Sequence, residues 1–213
     1  MTLADIARQM ARASSPAILT AEQIMNKNYD PLFLIVPGVI PQGVTLLVAS
    51  PKMVKSFFCL QLAVAVAGGG KMLGIDVEAH EVLYLALEDT EQRVNDRLAK
   101  MIQGAPVPKQ LHIPVHWMQG NGSEFDRLRT WLQEHPRTKL IIIDTLVKFS
   151  SWQQGNYNAD YQHISKFKAL ADRYKIALIL VHHQRKTAAK DECDRVVGSN
   201  GDRSSQGCGI ISA

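Results

Sequence analysis

The stretch Ala49-Ser-Pro-Lys-Met-Val-Lys-Ser56 decides the fold of this chain. It joins an apolar run from Val44 to Ala49, which predicts a β-strand, to a segment from Lys55 to Ala67, which predicts a buried helix. A strand, a tight turn and a helix that starts with Lys-Ser are typical of a phosphate-binding loop. In such a loop, backbone N–H groups and the lysine hold phosphate oxygens, and the hydroxyl ligates Mg²⁺. The predicted nucleotide-binding residues are Pro51, Lys52, Met53, Val54, Lys55, Ser56 and Phe57, with Ser56 as a ligand of Mg²⁺.

Both glycines of the usual pattern, GxxxxGK followed by Ser or Thr, are replaced, by Ala49 and Val54. A glycine before the lysine allows a backbone conformation that β-branched residues avoid, and it lets the loop approach the phosphate. We therefore expect Val54 to strain the loop, to crowd the phosphate or to impose another loop shape. Strain of about 1–3 kcal/mol would weaken nucleotide binding roughly ten- to a hundredfold. On this motif alone, an ordinary strand–turn–helix is an equal alternative.

The rest of the chain alternates apolar runs with amphipathic segments. This alternation predicts βαβ units, and strands that are apolar throughout predict helices on both faces of a mostly parallel twisted sheet. The expected fold is therefore α/β, and Pro114 places the run from Leu111 to Trp117 at a sheet edge. Further predicted strands are 32–36, 81–87, 140–144 and 176–182, and further predicted helices are 90–102, 123–135 and 161–174.

An N-terminal helical appendage at residues 1–30 is predicted to precede a single domain at 31–213. The segment Thr20-Ala-Glu-Gln23 is typical of a capping box that starts a short helix. The segment from Ala4 to Ala13 predicts another short amphipathic helix.

Composition limits the setting in which the chain works. The 24 basic and 20 acidic residues give a net charge of +4, which permits contact with nucleic acid without requiring it. The 3 cysteines show neither metal-ligand spacing nor a disulfide framework, which favours a reducing, cytoplasmic setting. The N-terminus has no secretory signal pattern and the apolar runs are too short to span a bilayer, so we expect no membrane association.

Acidic residues end two of the predicted strands. Asp144 follows the run Leu140-Ile-Ile-Ile, and a carboxylate at the carboxyl end of a buried strand can hold Mg²⁺ beside a phosphate loop. Glu88 follows the strand at 81–87, where a carboxylate can orient or deprotonate the water that attacks a γ-phosphate. The alternative for both is a cap of the next turn or helix, a role that we expect Asp89 and Thr90 to fill, leaving Glu88 for catalysis.

A polar segment, His182-His-Gln-Arg-Lys186, follows the last predicted strand. A side chain there can contact the γ-phosphate and signal its presence to a DNA-binding loop. Arg185 and Lys186 can contact phosphate, nucleic acid or a neighbouring subunit. Taken alone, the segment indicates a solvated basic turn.

The order of these motifs resembles that of the RepA-like hexameric replicative helicases, RecA-like AAA-domain ATPases of plasmids, phages and other mobile elements. The resemblance implies a RecA-like P-loop NTPase core, ATP with Mg²⁺, a hexameric ring and single-stranded DNA in a central channel. The motifs that carry it are Gly38 to Gly43, Pro51-Lys52 with Lys55-Ser56, Leu83 to Asp89, Ile143-Asp144-Thr145, Val181 to Lys186 and Gly198-Ser199.

By position, the resemblance makes Glu88 the catalytic carboxylate, Asp144 the acid that holds Mg²⁺ and His183 the sensor of the γ-phosphate. Arg185 and Lys186 become phosphate or intersubunit contacts. The family continues after the Gly-Ser pair with a further apolar strand and an intersubunit arginine. Here the chain reads Asn200 to Ala213, so a short or atypical C-terminal end is expected.

Two functions remain open. One is an ATP-dependent DNA helicase or translocase subunit of replication or of a mobile element, which Lys55, Ser56, Glu88 and Asp144 together favour. The other is a non-hydrolysing RecA-like scaffold or regulator that binds DNA or a partner protein, which Val54 and the short C-terminal end favour. The sequence leaves ATPase activity itself undecided.

Overall fold

The structure, a computed structural model, describes residues 18–49, 54–117, 124–149, 157–183 and 210–212. The helix predicted at 4–13 lies outside these residues. A polar loop is predicted at 150–158; residues 150–156 also lie outside, and residues 157 and 158 instead begin the helix Tyr157–Tyr174. Within the described ranges, no helix has both the length and the hydropathy that crossing a bilayer requires.

The chain divides into two compact units, Met1–Pro31 and Leu32–Ala213. In the first unit, helix α1 (Ala21–Met25) begins at Thr20. The hydroxyl of Thr20 accepts from the backbone N–H of Gln23 at 3.2 Å, and Oε1 of Gln23 accepts from the backbone N–H of Thr20 at 2.9 Å. The predicted capping box is therefore confirmed, and it satisfies two N–H groups that a helix start leaves without partners.

The second unit is built from short strands and amphipathic helices. Its strands are β1 (Leu34–Val36), β2 (Ile40–Pro41), β3 (Gly43–Ala49), β4 (Lys71–Met72), β5 (Ile75–Asp76), β6 (Glu81–Ala86), β7 (Leu111–His112), β8 (Thr138–Asp144), β9 (Ala177–His183) and β10 (Ile210–Ser212). Its helices are α2 (Lys55–Gly68), α3 (Glu91–Ile102), α4 (Glu124–Glu134), α5 (Leu146–Phe149) and α6 (Tyr157–Tyr174).

Among the described residues, six strands form one sheet in the order β10-β3-β9-β8-β6-β7, and all except β10 run parallel. The predicted α/β fold with a mostly parallel sheet is confirmed. Strand β7 lies at an edge, as Pro114 predicted, but it is shorter than expected. Pro114 has no N–H to donate, and only its carbonyl accepts, from the N–H of Ala86 at 3.1 Å.

Strand β10 corrects the expectation that the C-terminal end lacks a closing strand. Its residues pair antiparallel with β3, with Ile210 opposite Leu47. A run of three residues after a Gly- and Ser-rich segment is too short for periodicity to reveal, which is why the sequence did not predict it.

Helices cover both faces of the sheet because the strand side chains alternate between two cores. One core holds Val82, Tyr84 and Ile142 and packs on α2 and α3. The other holds Leu83 and Ile143 and packs on α4, α5 and α6. The two-sided burial explains why the central strands are apolar throughout.

Helix α2 has Val54 as its N-cap residue and begins at Lys55, the first residue of the Lys-Ser pair. It is apolar on most of its sides and buries Cys59, Leu60 and Leu62. It ends at Gly69, whose φ of 67° is left-handed and whose added Cβ would lie 3.1 Å from Cβ of Ala79. The helix N-terminus, and with it Lys55, is therefore fixed by packing along the whole helix.

Candidate functional site

The carboxyl ends of β3, β6, β8 and β9 meet at one edge of the sheet, which we call the carboxyl edge. Ala49 lies opposite His183 across the β3–β9 pair, and Ala86 lies opposite Asp144 across the β6–β8 pair. Ligands of open parallel sheets bind at this edge. The fold therefore brings the phosphate-loop region, Asp144 and the residues that follow β6 to the place where a nucleotide would bind.

Ser56, in the first turn of α2, reaches Asp144 at the end of β8. The Ser56 side chain lies close enough to the Asp144 carboxylate to act as a hydrogen-bond donor that lowers the Asp144 pKa. The hydroxyl of Tyr84 donates to Oδ2 of Asp144 at 3.0 Å and lies 3.5 Å from the backbone oxygen of Ser56. Two residues predicted to hold Mg²⁺ are thus in contact, and Tyr84 fixes one of the two carboxylate oxygens.

Asp144 is buried, and its environment opposes its negative charge. Burial raises the pKa of the Asp144 carboxyl above its ordinary value, and the nearby carboxylates of Glu88 and Asp89 act in the same direction. Hydrogen bonds from Ser56 and Tyr84 lower that pKa. Burial and the neighbouring Asp144 also raise the pKa of the Tyr84 phenol, so it remains a donor. A cation beside Asp144 would relieve both the burial cost and the repulsion.

Glu88 is held by a residue on the neighbouring strand. Thr145, which is fully buried, donates from its hydroxyl to Oε1 of Glu88 at 2.9 Å. The backbone N–H of Leu87 donates to the carbonyl of Asp144 at 2.7 Å, which extends the β6–β8 pairing beyond the end of β6. The Glu88 carboxylate therefore has a defined direction at the carboxyl edge.

Asp89 and Thr90 were both expected to cap the helix after β6, but only Thr90 does so. Thr90 caps α3, because its hydroxyl accepts from the N–H of Arg93 at 3.3 Å. The Asp89 carboxylate instead pairs with Arg97. The ion pair between Asp89 and Arg97 connects the β6–α3 turn to the second turn of α3. Glu88 takes no part in the Thr90 cap, as predicted.

Lys55 is buried at the start of α2. Burial raises the pKa of the Cys59 thiol, Asp144 raises it further, and Lys55 lowers it, which places both charges near this sulfur. Lys55 and Asp144 therefore both lie near Cys59. Because Lys55 is already buried, part of the cost of removing its ammonium group from water is met before a phosphate binds.

Val54 does not have the backbone conformation that the sequence led us to expect. Its φ is −66° and its ψ is 30°, so it lies outside the left-handed region that favours glycine. Its side chain is 71% exposed. Val54 is therefore not held in a left-handed conformation, and the remaining expectations are crowding of the phosphate or another loop shape.

Several predicted site residues carry no described side chain. Pro51, Lys52, Met53, Arg185 and Lys186 lie outside the described residues, and His183 is described only as the last residue of β9. Phe57, also predicted to bind nucleotide, is exposed on α2.

Two site residues were missed from the sequence. Tyr84 is a phenol in an otherwise aliphatic strand, and a buried phenol needs a hydrogen-bond partner, so its strand position was a usable signal. Thr145 was noticed only as the neighbour of Asp144. Its contact with Glu88 depends on the pairing of β6 with β8, which local sequence does not specify.

A sequence profile described as AAA domain matches residues 11–189. The chain belongs to this family. With its mostly parallel sheet, the protein is an AAA-type domain on a RecA-like P-loop core, and family membership implies nucleotide binding. The match covers the phosphate-loop region, Glu88, Asp144 and His183 alike.

AAA-type P-loop ATPases generally use Mg²⁺ with ATP, and the donor set at the carboxyl edge fits that ion. Mg²⁺ prefers oxygen ligands and retains several waters. The Ser56 hydroxyl and the Asp144 carboxylate both offer oxygen atoms, and Tyr84 contacts both residues, through the backbone oxygen of Ser56 and Oδ2 of Asp144.

Proposed function

We propose that this AAA domain is an ATP-dependent helicase or translocase subunit that acts on single-stranded DNA in replication or in a mobile element. The observation that carries the proposal is the contact of Ser56 with Asp144 beside a Glu88 held by Thr145. A cation-binding pair next to an oriented carboxylate is the arrangement that nucleotide hydrolysis requires.

Each of these residues would have one role. Lys55 neutralises the β- and γ-phosphates, and Ser56 and Asp144 hold Mg²⁺, which when bound offsets the charge of the phosphate oxygens. Glu88 accepts a proton from the attacking water, and Thr145 keeps Oε1 of Glu88 directed along the carboxyl edge. Tyr84 holds Asp144 in place through Oδ2.

The DNA and the ring rest on the resemblance to the RepA-like helicases and on the net charge of +4. In that arrangement ATP binds between subunits of a hexameric ring, and His183 reports the γ-phosphate to loops that face DNA. Arg185 and Lys186 are proposed as phosphate or intersubunit contacts. The proposed compartment is the cytoplasm.

A second candidate is a non-hydrolysing scaffold or regulator, and Val54 favours it. A valine side chain at the position before Lys55 puts two methyl groups where a glycine normally lets phosphate approach. In this alternative the carboxyl edge binds nucleotide weakly or not at all, and the domain acts through DNA or a partner protein.

ATP turnover by the full chain separates the two candidates. We expect Mg²⁺-dependent hydrolysis that rises when single-stranded DNA is added, and we expect Lys55→Ala and Glu88→Gln each to abolish it. Light scattering with and without Mg²⁺·ATP should show a larger assembly with nucleotide. No turnover by the wild type at any DNA concentration, together with a monomer under all conditions, would falsify the motor and leave the scaffold.

A further inference from the structure

Glu81, His112 and His135 meet at the edge of the sheet opposite the nucleotide site. Glu81 is the first residue of β6, whose other end leads to Glu88. His112 is the last residue of β7, and His135 directly follows α4. The three side chains therefore come from three separate elements that the sheet brings together at the amino ends of β6 and β8.

The potential ligand atoms of the three side chains lie close together. Oε1 of Glu81 is 2.8 Å from Nδ1 of His135 and 3.2 Å from Nε2 of His112, and all three ligand atoms lie within 4.8 Å of one another. Around a tetrahedral zinc ion with bonds of about 2.0–2.1 Å, neighbouring ligand atoms are roughly 3.3 Å apart. Small side-chain rotations would bring this set to that spacing.

Neighbouring side chains contact the two imidazole rings and the Glu81 carboxylate and orient them. Trp131 stacks on the His135 ring with centroids 3.7 Å apart and an angle of 8° between the planes, and it meets the His112 ring edge-on at 4.8 Å. The hydroxyl of Thr138 donates to the second oxygen of Glu81 at 3.5 Å. Such outer contacts orient metal ligands in known sites.

The exposure of the three side chains suits a ligand from solvent. The Glu81 side chain is 10% exposed, and the His112 and His135 side chains are 34% and 28% exposed. The carboxylate thus lies at the bottom of the cluster and the imidazoles face outward. Water can reach the imidazole side and complete a coordination shell.

We propose that Glu81, His112 and His135 bind one divalent transition-metal ion of the zinc class, with water as a further ligand. Two imidazoles and one carboxylate select Zn²⁺ and similar ions over Mg²⁺ and Ca²⁺, which require mainly oxygen ligands. The ion is distinct from the Mg²⁺ of the nucleotide site, because it lies at the other end of β6 and uses nitrogen ligands.

The ion would link the short edge strand β7 more firmly to the sheet. Strand β7 pairs with β6 through only two register positions, Val82 with Leu111 and Leu83 with His112. A metal that joins His112 to Glu81 and His135 links the edge strand and the end of α4 to β6. Zinc binding should therefore stabilise the folded chain, as any ligand specific to the native state does.

The test is a titration of the untagged full chain with Co²⁺, followed by displacement with Zn²⁺. We expect one equivalent of Co²⁺ to bind with visible absorption bands and to quench the fluorescence of Trp131, and we expect Zn²⁺ to remove both signals. His112→Ala and His135→Ala should each weaken binding at least roughly a hundredfold, since even outer contacts contribute ten- to a hundredfold. Two control variants should bind Co²⁺ and Zn²⁺ as the wild type does. They are His116→Ala, at an exposed histidine shortly after β7, and Asp144→Asn, in the nucleotide site.

The proposal is overturned if the wild type shows no saturable binding of Co²⁺ or Zn²⁺, or if His135→Ala binds both ions unchanged. In that case Glu81 is only the shared acceptor of two histidine hydrogen bonds. If the alanine variants fail to fold, His135→Gln decides, because its amide can still donate to Glu81 but it lacks the imidazole. An unchanged Zn²⁺ affinity in His135→Gln contradicts the site, and a hundredfold loss supports it.

Discussion

The hydroxyl of Thr145 donates a hydrogen bond of 2.9 Å to Oε1 of Glu88, which connects the first residue after β8 to the second residue after β6. Because Thr145 is fully buried, its hydroxyl cannot exchange this partner for bulk water. The bond thus couples the direction of Glu88 to the strand that carries Asp144. In the proposed function, the carboxylate that would act on water and the carboxylate that would hold the cation are therefore positioned by the same strand pair.

Replacing Thr145 by valine should lower turnover without lowering ATP affinity. Valine keeps the buried shape of threonine but removes the donor, so Glu88 loses its direction and kcat should fall up to about a hundredfold. The KM for ATP should stay near that of the wild type. Thr130→Val is the matched control, because the Thr130 hydroxyl donates to a backbone carbonyl on the surface of α4. Equal loss of kcat in both variants would contradict a positioning role.

Asp144→Asn should stabilise the protein while it removes Mg²⁺-dependent ATP binding. An amide removes a buried charge that Glu88 and Asp89 repel, and its oxygen can still accept from Tyr84. The pKa of Asp144 is higher in the folded chain than in the unfolded chain. The wild type therefore loses stability as the pH rises from the unfolded-state pKa through the folded-state pKa. The free energy of unfolding that Asp144→Asn gains over the wild type should therefore be largest above the folded-state pKa of Asp144 and vanish at lower pH.

Thermal unfolding at several pH values measures this difference. At neutral pH we expect a melting temperature a few degrees higher in Asp144→Asn than in the wild type. Asp126→Asn, at an exposed acid on α4, is the control and should change the free energy of unfolding by no more than about 0.5 kcal/mol. A destabilised Asp144→Asn would show that the carboxylate is compensated by its surroundings.

Tyr84→Phe should shift the pH dependence of Mg²⁺·ATP binding to higher pH. The Tyr84 hydroxyl lowers the pKa of Asp144 by donating to Oδ2, so its removal raises that pKa further. Mg²⁺ binds the ionised carboxylate, and binding weakens as pH falls through that pKa. Calorimetric titrations across a pH series should show the midpoint of this loss at higher pH in Tyr84→Phe. Tyr174→Phe should leave the midpoint unchanged.

The sequence predicted the parts of the fold that depend on long apolar runs. Helix α2 and strands β3, β6, β8 and β9 were placed within one or two residues, because two-sided burial imposes continuous apolar residues on central strands. Strands of two or three residues, such as β2, β4, β5 and β10, were missed because they are too short to show a period. The full length of α6 was missed because it begins in a polar segment.

The site residues were predictable where the residue type and its position at the end of a strand are enough to indicate a role. Ser56, Glu88 and Asp144 were expected at the carboxyl edge, and the parallel register places them there. The contacts of Tyr84 and Thr145 depend on which strands are neighbours, and the order β3-β9-β8-β6 cannot be read from local patterns. Of the three alternatives expected at Val54, strain from a left-handed backbone is not present, because the φ of this residue is negative, whereas crowding of the phosphate and another loop shape stay predictions.

Val54→Ala and Val54→Gly should both strengthen ATP binding, by about tenfold, or ~1.4 kcal/mol. Since the φ of Val54 is −66°, the backbone has no need of glycine, and the side chain itself is the remaining obstacle to a phosphate. Removing both methyl groups should therefore help equally in either variant. Calorimetry with Mg²⁺ on the full chain measures the affinities, and Val147→Ala, an exposed valine of α5, is the control.

The two variants also separate the remaining explanations for a weak site. A gain in Val54→Gly alone would mean that the nucleotide-bound loop adopts a left-handed conformation at this position, so that the expected strain arises only with ligand. If only Val54→Gly binds ATP and the wild type and Val54→Ala do not, the natural chain is not an ATPase and the scaffold function holds. Binding by the wild type, with gains in both variants, means that Val54 lowers the affinity of a nucleotide site that still works.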